Sequence, residues 1–175
     1  GIKVEVDLDE WTATIQKAAN KNTDGLLGAV PGLIDSTGLI PTKALTRVAP
    51  TVYVRGNAPF EINSGKDLQG KKVAVLKSVY IVDQFLKPFR DNLESVETLD
   101  ALEMMKMVFE GKVDAAVGLN LHSYFIDQYL LFGVKPVFFS HEHQRPFGVG
   151  IRSDWPEFVS IVNKGLDAIG ENRLQ

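Results

Sequence analysis

Asn22-Thr23-Asp24-Gly25-Leu26-Leu27-Gly28 and Lys112-Val113-Asp114-Ala115-Ala116-Val117-Gly118 write one phrase twice. Each copy follows a helix-like stretch, turns on an Asp, and runs into a short apolar strand that stops at Gly. Two copies of a helix–turn–strand unit imply two similar α/β lobes. Open α/β sheets take ligands beyond the carboxyl ends of their strands. The two glycines are therefore expected to face each other across a cleft, an arrangement suited to ligand capture.

Working outward, the chain alternates strand and helix signals. Ile2 to Val6 alternates as a strand, and Asp9 is placed to cap a helix whose Trp11, Ile15 and Ala18 or Ala19 share one face. Leu26 to Val30 is strand-like, and Pro31 to Pro41 is loop-like, with Gly32, Gly38 and two prolines. Ala44 to Arg55 is extended and interrupted by Pro50, which marks a crossover between lobes. Gly56 to Gly70 is a polar connection, and Lys72 to Lys77 is a strand. The next helix carries Val82, Phe85 and Leu86, and Pro88 either ends it or kinks it. Thr98 is positioned to cap a helix striped by Leu102, Met105 and Val108 or Phe109, closed by Gly111. Val113 to Val117 reads as a strand, Asn120 as the start of a helix bearing Leu121, Tyr124 and Phe125, and Lys135 to Phe139 as a strand. Phe147 to Arg152 is the return crossover. Asp154 and Glu157 form a capping box around Pro156, opening a helix with Phe158, Val162, Leu166 and Ile169 inward. The expected class is α/β with a largely parallel sheet in each lobe. Residues 1–50 with 147–175 form one lobe and 51–146 the other.

Composition narrows the function. The 175 residues are 45% hydrophobic and 23% charged, ordinary for a globular chain. The net charge of −3 and the scattered Lys and Arg speak against nucleic acid as a partner. The absence of cysteine excludes disulfides, Cys-ligated zinc and a thiol nucleophile. No apolar run is long enough to span a bilayer and no signal peptide opens the chain, so any membrane connection is expected through segments outside this sequence.

Three stretches together resemble a known family: Asp67-Leu68-Gln69-Gly70-Lys71-Lys72-Val73-Ala74-Val75, Gly111 through Gly118, and Gly148-Val149-Gly150-Ile151-Arg152-Ser153-Asp154-Trp155-Pro156-Glu157-Phe158. They are similar, in order and spacing, to the bacterial extracellular solute-binding proteins of family 3. That resemblance implies the type II periplasmic-binding-protein fold, a Venus flytrap with its ligand cleft between the lobes. It also implies a first strand and helix, supplying a ligand-gripping loop, ahead of Gly1. The tail from Arg152 to Leu166 looks more like the flytrap domains of membrane sensor kinases than like free transport proteins. The resemblance thus implies a sensing domain on the periplasmic or extracellular face of the membrane, in a receptor of the histidine kinase type. The alternative is the solute-binding component of an ABC transporter. A homodimer is the expected state of the full receptor.

The departures from the family bear on the ligand. Amino-acid-binding members carry an Arg shortly after the first-lobe strand, to pair with the substrate carboxylate. Pro31 to Ser36 contains none. They place an Asp after the second-lobe strand, to hold the ammonium, where this chain has Leu119 and Asn120. The Gly-Ser/Thr turn of the family matches Lys77-Ser78-Val79-Tyr80. Burying either charge of an amino acid unpaired is costly. The expected ligand is therefore a small molecule other than a simple amino acid in the usual pose.

The candidate ligand-binding residues are Gly28, Ala29 and Val30 at the first rim, and Lys77, Ser78, Val79, Tyr80, Leu119 and Asn120 at the second. Ser78 and Lys77 offer a hydroxyl and a charge where a helix begins. Tyr80 offers an aromatic wall, or only packing. Asn120 reads as a ligand contact, as an N-cap, or as both. Arg47 either reaches the cleft or lies along the surface. Trp11, Trp155 and the three methionines suit packing. His141-Glu142-His143 on a strand would bring two imidazoles together, but no third ligand is evident and a polar loop is preferred, so no metal is expected. No nucleophile–base pair or paired carboxylates stand out, and His122 and Asp127 do not share a helix face, so no enzymatic activity and no cofactor are expected.

Overall fold

A computed structural model describes residues 3–169. The chain divides into two compact units, residues 1–46 with 146–175 (unit 1) and residues 47–145 (unit 2).

In unit 1, residues 3–10 have no regular structure, so no strand forms over the described part of Ile2 to Val6; Ile2 itself lies outside the described residues. Lys17 holds this segment through Asp7 and Asp9 at 2.8 and 2.9 Å. Helix α1 (Trp11–Ala19) starts one residue later than the sequence suggested. Its cap is Glu10, whose carboxylate accepts the Thr12 and Ala13 N–H groups, while the Asp9 carboxylate accepts the Glu10 N–H, ahead of the helix. The longer Glu side chain bridges two N–H groups that a preceding Asp cannot reach together.

Strand β1 (Gly25–Ala29) follows. Residues 31–37 then form helix α2 (Pro31–Thr37) where a loop was expected. Its punctuation explains this: Pro31 sits at the first helical position and Gly38 ends the helix at φ 67°. A short strand β2 (Ile40–Pro41) leads to β3 (Thr46–Val48), on which the chain passes into unit 2. The core of unit 1 is Ala18, Leu26 and Leu39, with Trp11, Ile15 and Leu33 packed on it.

Unit 2 opens with β4 (Pro50–Arg55), in which residues 50–54 are fully buried. Pro50 is tolerated there because it is the first residue of the strand. A short 3₁₀ turn at Gly65–Leu68, capped reciprocally by Ser64 and Asp67, precedes β5 (Lys72–Leu76). Helix α3 (Tyr80–Leu86) ends before Pro88 as expected. The following strand β6 (Glu94–Thr98) was not legible, because only Val96 and Thr98 face inward and the rest is polar. Thr98 is consequently a buried strand residue, and the cap of α4 (Ala101–Phe109) is Asp100, which accepts the Glu103 N–H. Strand β7 (Ala115–Leu119) lies two residues beyond its expected place.

Asn120 to Ser123 form a 3₁₀ turn, so Asn120 is not the cap of a helix; α5 (Tyr124–Gln128) begins after it. Leu121 and Tyr124 are exposed rather than inward. Strand β8 (Val134–Phe139) leads to a 3₁₀ turn at His141–His143, and β9 (Arg145–Ile151) returns to unit 1.

The closing helix α6 (Pro156–Ile169) has no fully buried residue, and Ile169 is exposed. It is tied down by polar contacts: Asn163 accepts the Lys43 N–H at 2.7 Å, and Asp167 pairs with the Lys43 ammonium. Asp154 does not build the expected capping box. The Arg152 guanidinium forks onto it at 2.8 and 2.9 Å and holds its carboxyl below the usual range.

Strand directions correct the expected parallel sheets. In unit 1, β9 is flanked by β1 and β2, both antiparallel to it. In unit 2 the order is β6-β5-β7-β4-β8, with β5 parallel to β6 and β7, and β4 antiparallel to β7 and β8. The mixed sheet follows from the crossover strand, which enters against the βαβ run. Tyr53, Ala74, Met104, Met105, Val108, Ala116 and Val134 form its main core. Each fully buried large side chain there contributes about 1.5–3 kcal/mol.

Candidate functional site

The candidate residues fall into two groups, one in each unit. In unit 1, Gly28 sits at φ 102° inside an irregularity where the β1–β9 register shifts between Leu27 and Ala29. The left-handed backbone favours glycine, and a Cβ there would meet the Trp11 ring closely at 3.2 Å and Phe147 at ordinary contact, 3.4 Å. Ala29 and Val30 are buried, and the Val30 carbonyl accepts the Leu33 and Ile34 N–H groups at the start of α2. All three residues thus have a local packing role in unit 1.

In unit 2 the carboxyl ends of β6, β5 and β7 line up with the first residue of β4. Leu76 pairs with Thr98, Val75 with Val117, and Leu119 with Pro50. Lys77, Ser78 and Leu119 therefore share one edge of the sheet. Ser78 is held at φ 62°, which costs a non-glycine residue about 1–2 kcal/mol. Strain of this kind between a strand and a helix concentrates at functional turns. Lys77 is exposed and donates its backbone N–H to the Thr98 carbonyl at 2.9 Å. Val79 is buried and its carbonyl starts α3, while Tyr80 is 46% exposed.

The turn after β7 is occupied by a network that sequence inspection did not find. The buried Tyr53 hydroxyl donates to the Leu119 carbonyl at 2.7 Å and lies 3.1 Å from Ser123 Oγ. Burial pushes its phenol up to about 12. His122 Nδ1 accepts the Leu119 N–H at 3.1 Å, which places the proton of the neutral ring on Nε2. Burial of that ring pushes its pKa down to about 4. Asn120 is bound to the chain segment that enters the unit. Its Oδ1 accepts the Ala49 N–H at 3.0 Å, its Nδ2 donates to the Arg47 carbonyl at 3.4 Å, and its own N–H donates to the Ala49 carbonyl at 3.2 Å. The local signal for Tyr53 was only a β-branched strand, and its partners lie 66 to 70 residues away.

Asn120→Ala is expected to destabilise unit 2 by about 1–2 kcal/mol, because the Ala49 N–H loses its acceptor. Amide hydrogen exchange at Ala49, measured by NMR, should accelerate while exchange in α4 changes less. An Ala49 amide as protected as in the parent chain would show that the clamp contributes nothing.

His141, Glu142 and His143 lie on a 3₁₀ turn, not a strand, so the imidazoles do not alternate onto one face. His143 Nδ1 bonds Ser140 Oγ at 2.8 Å and its ring meets Phe85, while His141 meets Phe139. Among the described residues, no group of three or more His, Asp or Glu side chains is placed to hold a metal ion. No helix among them is long and apolar enough to cross a membrane. Met104 and Met105 are fully buried in the core.

The sequence matches no protein-family profile, and no curated protein sequence matches it. Solved structures do. A histidine kinase sensor domain with similarity to periplasmic binding proteins superposes with a TM-score of 0.78 at 20% identity, over 93% of this chain and 71% of that one. The substrate-binding protein of an amino acid ABC transporter gives 0.82 at 14% identity, over 99% and 77%. An ancestral amino acid-binding protein, a precursor of cyclohexadienyl dehydratase, gives 0.82 at 22% identity, over 99% and 77%.

Proposed function

We propose that this chain, which has the α/β fold of periplasmic binding proteins, is a small-molecule sensing domain outside the cytoplasm, part of a membrane receptor of the sensor histidine kinase type. Ligand is held between the two units and favours their closure, and the receptor reads that change. The ligand shifts the equilibrium only by its differential affinity for the two states. The observation that carries this proposal is the likeness to a histidine kinase sensor domain over 93% of the chain, together with a chain that crosses between its two units twice. The likeness to a transporter's substrate-binding protein supports the second reading, delivery of a solute to an ABC transporter. The parent gene separates them: a membrane-spanning segment encoded after Gln175 favours the receptor. Neither reading gives the chain an enzymatic activity.

The test combines binding and closure. A thermal-shift panel of amino acids, dicarboxylates, amines and aromatic acids should contain a ligand that stabilises the chain by about 3 kcal/mol at roughly a hundred times its Kd. The chain has no cysteine of its own, so Glu157→Cys and Glu97→Cys give one label site in each unit. The distance between the labels should change on adding that ligand. A panel without a stabilising compound, or a ligand that leaves the distance unchanged, refutes capture by closure.

A further inference from the structure

At Leu119 and Asn120, where β7 ends, the backbone polar groups are already engaged. The Leu119 N–H is bound to His122 and its carbonyl to the Tyr53 hydroxyl. The Asn120 N–H is bound to the Ala49 carbonyl, its own carbonyl lies 3.4 Å from the Tyr53 hydroxyl, and both ends of its side-chain amide are engaged. What this turn presents is the half-buried isobutyl group of Leu119. An ammonium set against it would leave water without a partner, a cost of several kcal/mol.

The neighbouring strand end is different. Two residues past the Val75–Val117 pair, Lys77 is exposed, and its ammonium has no ion pair among the described residues. Tyr80 presents a half-exposed ring one turn on. The nearby carboxylates are spent or misplaced. Asp83 pairs with Arg90 at 2.7 Å, and Asp100 caps α4. Glu97 stands beside Val75, on the side of β5 away from β7. The strand end at Lys77 therefore combines an uncompensated cation with apolar surface, and no ion pair or side-chain hydrogen bond among the described residues sets a carboxylate beside Leu119.

We infer that the ligand of this edge is an apolar carboxylate without an ammonium group, its carboxylate on Lys77 and its aliphatic or aromatic body against Leu119 and Tyr80. This assignment rests on the ligand-capture function proposed above and specifies its chemistry.

Three probes sharing one ring separate the charges: 3-phenylpropionate, L-phenylalanine and phenethylamine. Each is titrated into the 15N-labelled chain. 3-Phenylpropionate should move the amide signals of residues 77–80 and 119–120 and bind at least about tenfold tighter than L-phenylalanine. Phenethylamine should leave them unmoved up to about 10 mM. Lys77→Gln, at an exposed position, should weaken 3-phenylpropionate about tenfold or more, and Leu119→Asp should shift the preference toward L-phenylalanine. Equal or tighter binding of L-phenylalanine to the parent chain overturns the assignment while leaving ligand capture standing. So does 3-phenylpropionate binding that is indifferent to Lys77→Gln. A chain that binds none of the three overturns it as well, whereas the capture function falls only if the wider panel and the label distances also stay silent.

Discussion

From about pH 7 to about pH 5, the stability of unit 2 is expected to fall by about 2 kcal/mol through His122. Its folded pKa is pushed from 6.5 to about 4 by burial of the ring. The unfolded chain therefore takes up a proton near pH 6.5 that the folded chain refuses until about pH 4. The stabilisation is complete above the unfolded value and is lost as pH falls toward the folded one. Protonation also converts Nδ1 from the acceptor of the Leu119 N–H into a donor, so the folded turn cannot accept the charge in place. Tyr53, the other ionisable member of the network, has a phenol pushed up to about 12 and stays neutral throughout.

The unit can be followed separately. All four tyrosines lie between residues 47 and 145, and both tryptophans lie in unit 1. Urea unfolding read by near-ultraviolet tyrosine circular dichroism should show the slope, and His122→Gln should flatten it. An unchanged slope in His122→Gln would assign the pH dependence to other groups.

Gly118→Ala is expected to cost unit 2 about 3 kcal/mol. A Cβ at Gly118 would overlap His122 Nδ1 and stand 2.7 Å from the Met104 terminal methyl. Met104 is fully buried in the main core, so its terminal methyl can move only by repacking its neighbours. His122 can yield only by releasing the Leu119 N–H, which then lacks its partner. The same tyrosine-detected unfolding checks this, with tryptophan fluorescence as the internal reference for unit 1. A loss below about 0.5 kcal/mol would mean that the turn relaxes freely and that the network holds it loosely.

These two residues show which parts of the site local sequence could reveal. The strand around Gly118 was legible, because an apolar run after an Asp turn is a local pattern, although Gly118 lies inside β7 and not at its end. That Gly118 must lack a side chain was not legible, since the atoms that exclude one belong to His122 and to Met104 on another element. Lys77, Ser78 and Leu119 were placed by strand ends alone, and the mixed sheet of unit 2 does bring β5 and β7 side by side. Asn120 is a contrary case. Asn is a good cap in any local ranking, but here its amide finds the backbone of residues 47 and 49, and the helix it was expected to start is a 3₁₀ turn.

The misplaced elements have related causes. Strand β6 exposes most of its side chains at a sheet edge, so its alternation carries little apolar signal. Helix α2 is too short for periodicity and announces itself only through Pro31 and Gly38.

By itself the sequence determined the α/β class, most strands and helices, and the absence of Cys chemistry, because apolar periodicity, helix punctuation and composition are local properties. Tertiary structure alone decided strand direction, the identity of the caps, and the fate of the polar groups around Leu119. Those depend on partners distant in the chain, and a hydrogen bond between residues 53 and 119 leaves no mark on the neighbours of either.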